Sequence, residues 1–239
     1  MIDIASLPQQ APEFDLRELL EAGSHFGHQA RKWHPAMKEW IYMEKDGIHI
    51  FDLAKTATQL QAAYDFAYDL GANNKTLVFV GTKRQARDIV KAAAEDCGAM
   101  YITSRWLGGL LTNWDQVYKS LKRMIEIEDG LKTDKYKGYT KFERVQLEKE
   151  QARFERFFGG IRALKTRPDA LFVIDPGREK NAIKESIAID TPVIGLVDSN
   201  SDPRTLKVVI PANDDAATSI ELVVKAVADG YKAGKAAKK

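Results

Sequence analysis

Cysteine is almost absent from this chain: of 239 residues, only Cys97 carries a thiol. No intramolecular disulfide is available, and a reducing cytoplasm is the expected compartment. Long apolar runs are missing too. They reach only a few residues, as in Leu77-Val78-Phe79-Val80, far short of the roughly 20 that a membrane span needs. The first ten residues hold neither a basic region nor an apolar core, which argues against a secretory signal. Phosphate-cradling glycine fingerprints are also lacking: no G-x-G-x-x-G follows a strand-like run, and no G-x-x-x-x-G-K-[ST] occurs. There is no G-x-S-x-G elbow, and no RNA-recognition, KH or helix-turn-helix signature.

What is present describes an ordinary folded protein. The chain is 44% hydrophobic and 29% charged, which excludes disordered, collagenous and low-complexity classes. The net charge of +2 is unevenly spread. Residues 119–167 hold 14 basic and 8 acidic side chains, whereas 168–224 hold 5 and 10. Localised positive charge suits a polyanion, although long solvated helices carry it too.

Five apolar runs, 76–80, 100–102, 170–174, 193–197 and 206–210, are continuous rather than alternating. With helical patterns around them they indicate a parallel sheet covered on both faces, a doubly wound α/β core. Ahead of it, 13–22 reads as an amphipathic helix with Phe14, Leu16, Leu19 and Leu20 inward. The stretch 24–39 has no clean period and reads as a loop. Asp46-Gly47 marks a hairpin. Asp52 is placed to cap a helix that ends before Gly71. Lys83–Ala94 reads as a helix, and Asp214 or Asp215 as the cap of a last helix through Ala228. The small, basic tail after it is expected to fray.

Between 105 and 168 the alternation stops. Val117, Leu121, Met124 and Leu131, then Leu147, Phe154, Phe158 and Ile161, form coiled-coil-like seams. They predict an antiparallel helical hairpin over about 115–163, with Gly108-Gly109 and Gly159-Gly160 at its roots as hinges, close-packing points or plain terminators.

In a doubly wound fold the carboxyl ends of the strands carry function. Val80-Gly81-Thr82-Lys83-Arg84 puts a lysine at a strand-to-helix junction, where it would meet a phosphate of a nucleotide or of RNA. His25, His28 and His34 lie close in sequence, but no cysteine or carboxylate follows at ligand spacing, so packing or RNA contact is favoured over a metal. Asp175, Asp198 and Asp214 would suit a phosphoryl or nucleotide enzyme with Lys83, yet turn and cap roles are the commoner use of such residues. Arg31-Lys32-Trp33 joins cations to an aromatic plane, and Arg105-Trp106 repeats the pairing, as base stacking and phosphate contact require.

Several blocks are longer and more specific than these motifs. They are LLEAGSHFGHQARKWHPAMKEWIY (19–42), VFVGTKRQA (78–86), RWLGGLLTN (105–113), PDALFVID (168–175), PVIGLVDSNSDP (192–203) and IPANDDA (210–216). In order and spacing the chain resembles the bacterial ribosomal protein S2 family of the small subunit. Ser199 and Ser201 replace a threonine and a cysteine common there, which leaves the turn chemistry intact. The resemblance implies a flavodoxin-like five-stranded parallel sheet with an inserted antiparallel coiled-coil hairpin. The core would be 1–105 and 168–239, and the insertion 106–167. It implies a structural, non-enzymatic constituent of the ribosome, with no cofactor, metal or membrane. The expected partners are small-subunit ribosomal RNA and neighbouring ribosomal proteins, including the large messenger-binding one. Carried onto this chain, Arg31, Lys32, Trp33, Lys83, Arg84 and Arg105 are expected to contact RNA. Trp106, Leu107, Gly108, Gly109, Leu111, Gly159 and Gly160 are expected to form the joint between hairpin and core.

Overall fold

The computed structural model describes residues 7, 9–133 and 135–237. A short helix, α1 (Leu16–Glu21), leads into three short strands, β1 (Phe26–Gln29), β2 (Ile41–Lys45) and β3 (Ile48–Phe51). These form an antiparallel sheet in the order β1-β3-β2. Asp46 and Gly47 both have positive φ, 52° and 74°, in the tight turn between β2 and β3. The main body then follows: α2 (Leu53–Ala72), β4 (Leu77–Val80), α3 (Arg87–Cys97), β5 (Met100–Ile102), α4 (Trp114–Lys132), α5 (Lys141–Phe158), β6 (Ala170–Ile174), α6 (Lys180–Ala188), β7 (Val193–Val197), β8 (Val208–Pro211) and α7 (Ala217–Ala237).

The second sheet is parallel throughout, with the order β5-β4-β6-β7-β8. Relabelled from its first strand, this is the 2-1-3-4-5 order of flavodoxin-like folds, which reverses direction between β4 and β6. Its two faces separate by the period-2 alternation of strands. Leu77 and Phe79 join Phe172, Ile194 and Ile210 in a core shared with α2, α3 and α7. Val78 and Val80 join Leu171 and Val173 in a second core shared with Trp106, Leu110, Leu111, α4, α6 and Phe158. Both faces are buried, which is why these strands read as unbroken apolar runs.

Helices α4 and α5 make two kinds of contact. Near the sheet, Val117, Leu121 and Met124 belong to the second core rather than to a separate seam. Farther out, Ile127, Tyr136 and Leu147 form a small cluster of their own, with Leu131 and Phe154 against it. Arg123 Nε adds an ion pair to Glu150 at 3.6 Å.

The structure corrects several expectations. Residues 26–29 are a strand, not loop. In α1 only Leu19 is buried; Leu16 and Leu20 are half exposed. Gly71 lies inside α2. Helix α3 begins at Arg87, so Lys83 precedes it by a turn. Neither Asp214 nor Asp215 caps α7: Asn213 Oδ1 accepts from the amides of Asp215 and Ala216. The segment after Ala228 does not fray but continues α7, with Gly230, Tyr231 and Gly234 buried; Lys238 and Lys239 lie outside the described residues. The physical reason is a close helix crossing. A Cβ on Gly234 would fall 2.0 Å from the Tyr68 carbonyl oxygen, and one on Gly71 2.4 Å from that of Tyr231. Small residues on both helices let the backbones approach.

Candidate functional site

The carboxyl ends of β4, β6, β7 and β8 deliver Lys83, Asp175, Asp198 and Asp214 to one place. Gly81 permits the exit from β4, since a Cβ there would meet Val90 of α3 at 2.8 Å. Asp175 turns the chain at φ 58°, a left-handed conformation that Asp adopts more readily than most residues. Its Oδ1 accepts from the Arg178 amide at 3.0 Å.

Lys83 fills the point where the strand order reverses. It is only 9% exposed. Its Nζ lies 2.6 Å from Asp214 Oδ1, 2.8 Å from Asp215 Oδ1 and 3.2 Å from Asp175 Oδ2. Burial opposes its charge, but Asp214, Asp215 and Asp175 outweigh that and raise its pKa. Asp214 is fully buried. Burial first, then the charges of Asp198 and Asp175, push its carboxyl up to about 7 against the pull of Lys83.

The antiparallel sheet docks over this edge. The amide of His28 donates to Asp198 Oδ1 at 3.0 Å and to Ser199 Oγ at 2.9 Å, and the amide of His34 donates to the Ser199 carbonyl. Gly27 is needed for that approach, since its Cβ would sit 3.0 Å from Ser199 Oγ. The His28 ring lies with Nδ1 2.9 Å from Asp198 Oδ1 and Nε2 3.5 Å from Asp215 Oδ2. Hydrogen bonding to Asp198, opposed by burial and reinforced by the three aspartate charges, raises its pKa. Ser199 and Ser201 are both buried in this turn.

The remaining expected site residues divide by position. Arg31 and Lys32 are exposed on a 3-10 turn after β1, beside Trp33, which is 37% exposed and meets His49 edge-on. Arg84 is exposed after Lys83. Arg105 is exposed after β5 and lines a pocket of about 360 Å3 with Thr82, Ser104, Arg178 and Glu179. Arg31 and Arg105 are therefore not brought together. The turn of Arg31 lies over the β7 end, while Arg105 follows β5 at the far edge of the strand order. In the pocket, Thr82 donates to Glu179 and accepts from Arg178 Nε at 3.2 Å. Burial holds the Glu179 carboxyl above its usual range.

The block 106–112 is held by a residue that the sequence did not reveal. One carboxylate of α6, Glu185, accepts from Trp106 Nε1 and from the amides of Gly109, Leu111 and Thr112 at 2.8–3.3 Å. Nothing distinguishes this glutamate from a solvated helix residue in the sequence. Trp106 and Leu111 are buried, and Leu107 packs against the same core. The glycines differ. Gly109 has φ 88°, Gly160 lies against Tyr101 where a Cβ would be 2.2 Å from a carbonyl, and Gly108 has open space around it. Gly159 is the C-cap of α5 in ordinary helical geometry.

The family description Ribosomal protein S2 matches residues 19–234. That span includes both sheets, the two intervening helices and the whole acidic edge, and so the chain belongs to the ribosomal protein S2 family.

Proposed function

We propose that this chain is a structural constituent of the small ribosomal subunit, not an enzyme, and that it binds ribosomal RNA through exposed cations along one edge. Arg31 and Lys32 with Trp33 form one contact, Arg84 a second and Arg105 a third. Residues 106–167 form an antiparallel hairpin arm set into a core of 1–105 and 168–239. Its joint is Trp106, Leu107, Gly108, Gly109, Leu111, Gly159 and Gly160. Neighbouring ribosomal proteins, including the large messenger-binding one, are the protein partners, and the cytoplasm the compartment.

The observation that carries this reading is a division of charge. Asp175 and Asp214 are buried against Lys83 and Asp198 is buried against His28, while Arg31, Lys32, Arg84 and Arg105 face solvent. Phosphate neutralisation by such cations supplies most of the affinity for nucleic acid without any catalytic group. Lys83 is left out of the RNA contacts because its ammonium is committed to three carboxylates. The same commitment weakens the enzyme alternative, in which Lys83 would meet a phosphoryl group. Among the described residues no helix is long and apolar enough to cross a membrane.

Sucrose-gradient sedimentation of a lysate tests the reading. The chain is expected to comigrate with the small subunit and with whole ribosomes at low salt, and to be depleted there by Arg31→Ala combined with Arg105→Ala. A chain that stays at the top of the gradient at low salt would overturn it. A large thermal stabilisation by one nucleotide with magnesium would favour the enzyme instead.

A further inference from the structure

The acidic edge carries more negative charge than Lys83 can balance. Four carboxylates, Asp175, Asp198, Asp214 and Asp215, surround one ammonium and one imidazole. Their oxygens are unequally used. Asp198 Oδ1 accepts from the His28 amide, the Ser199 amide and Ser199 Oγ. Asp198 Oδ2 has only the Asp214 amide at 3.4 Å, which is at the limit of a hydrogen bond. Asp214 Oδ1 takes the Lys83 ammonium. Asp214 Oδ2 is buried with no hydrogen-bond partner at all. An unpaired carboxylate oxygen in a fully buried side chain is costly unless a proton or a cation meets it.

The fold places a third donor beside these two. One donor atom from each of His28, Asp198 and Asp214 lies within 4.8 Å of the other two. Ligands on one small ion with bonds of about 2.0–2.2 Å lie no more than about 4.4 Å apart, so a small inward shift of these side chains would close the set around an ion. We propose that His28, Asp198 and Asp214 bind one divalent transition-metal ion, with zinc the best-matched occupant. An imidazole in the set favours zinc over magnesium or calcium, which prefer all-oxygen shells. A pocket of about 290 Å3 lined by Gly27, His28, Lys32, Asp198, Asn213 and Asp215 opens onto the site and gives an entering ion a route and room for a water ligand. The amide and hydroxyl of Ser199 on Asp198 Oδ1, and Lys83 on Asp214 Oδ1, act as the outer shell that fixes both carboxylates. The ion clips β1 of the antiparallel sheet to the ends of β7 and β8. It thereby fixes the base of the turn that presents Arg31 and Lys32.

The test is zinc binding by the purified full-length chain, titrated against a chelating indicator, with magnesium and manganese in parallel. One zinc ion per chain is expected, with a rise in Tm. His28→Gln and Asp214→Asn should each weaken binding at least roughly a hundred-fold, beyond the 10–100-fold that loss of an outer-shell partner produces. Asp214→Asn keeps an oxygen for Lys83, and His28→Gln lies on a partly exposed strand. Far-UV circular dichroism confirms that both variants are folded, and a folded His28→Gln alone decides the question. No zinc binding by the wild type would overturn the proposal, leaving the imidazole as merely a hydrogen-bond partner of Asp198. Zinc binding unchanged in the folded variants would place the metal elsewhere. Binding of magnesium in preference to zinc would overturn the assigned donor set.

Discussion

A single side chain, Glu185, gathers the loop between β5 and α4 onto the sheet. Its two oxygens hold the indole of Trp106 and the amides of Gly109, Leu111 and Thr112. Burial works against its ionisation, but those hydrogen bonds outweigh it and hold the carboxyl below its ordinary value of 4.5. A depressed folded-state pKa means that the stabilisation is complete above the unfolded value. It is lost as the pH falls through the lower, folded one. Glu185→Ala leaves these four donors and the Thr112 hydroxyl short of an acceptor, and should cost about 1–3 kcal/mol near neutral pH. Urea unfolding of both proteins from neutral to acid pH measures this. The gap between wild type and variant should narrow as the wild-type carboxyl protonates; a gap independent of pH would mean that packing, not charge, is lost. Lys83 shows the opposite lesson. Its residue type and its position after a strand suggested phosphate binding. Three carboxylates from remote segments gave it an internal role that no local reading reveals.

At the scale of elements, the legible parts were those with a strong local period. The five parallel strands were readable because burial on both faces writes continuous apolar runs. The hairpin at Asp46-Gly47 was readable because its turn needs positive φ at both residues. Strand β1 was not. Only four residues long, with a glycine and a histidine in it, it is held by bonds to β3 and to the turn after β7 rather than by its own pattern. The end of α7 was misread because alanine, glycine and lysine look like a fraying tail, whereas the glycines are where α2 comes closest. This packing gives a test. Gly234→Ala should improve helix propensity by up to about 1 kcal/mol. The new methyl would nevertheless meet a backbone carbonyl at 2.0 Å, and overpacking costs about 1–3 kcal/mol. A lower Tm is expected. Gly138→Ala, with nothing within 4 Å of its Cβ, should leave Tm unchanged or slightly raised. Equal effects of the two would remove the close crossing as the reason α7 extends to Ala237.

For the whole molecule, the near-zero net charge conceals a sorted surface. Asp175, Asp198 and Asp214 at the sheet edge are drawn inward, and the cations after β1 and β5 are left outside. Among the described residues Arg31 and Arg105 lie at separate places along that edge and share no partner, so on the proposed reading their contributions to RNA binding should add. Each phosphate neutralised contributes about 0.7–0.9 to the slope of log affinity against log salt, depending on the form of the nucleic acid. Arg31→Ala and Arg105→Ala should therefore each reduce that slope by no more than about one, and the double variant by the sum. Filter binding of the full chain to small-subunit ribosomal RNA over a salt series measures it. Weaker binding with an unchanged slope would mean that the substitutions disturb the fold rather than remove phosphate contacts. A double variant no worse than either single would mean that the two arginines serve one contact. Additive slopes would instead describe an edge that meets RNA at separated points, as a scaffold does, and not at one concave pocket, as an enzyme does.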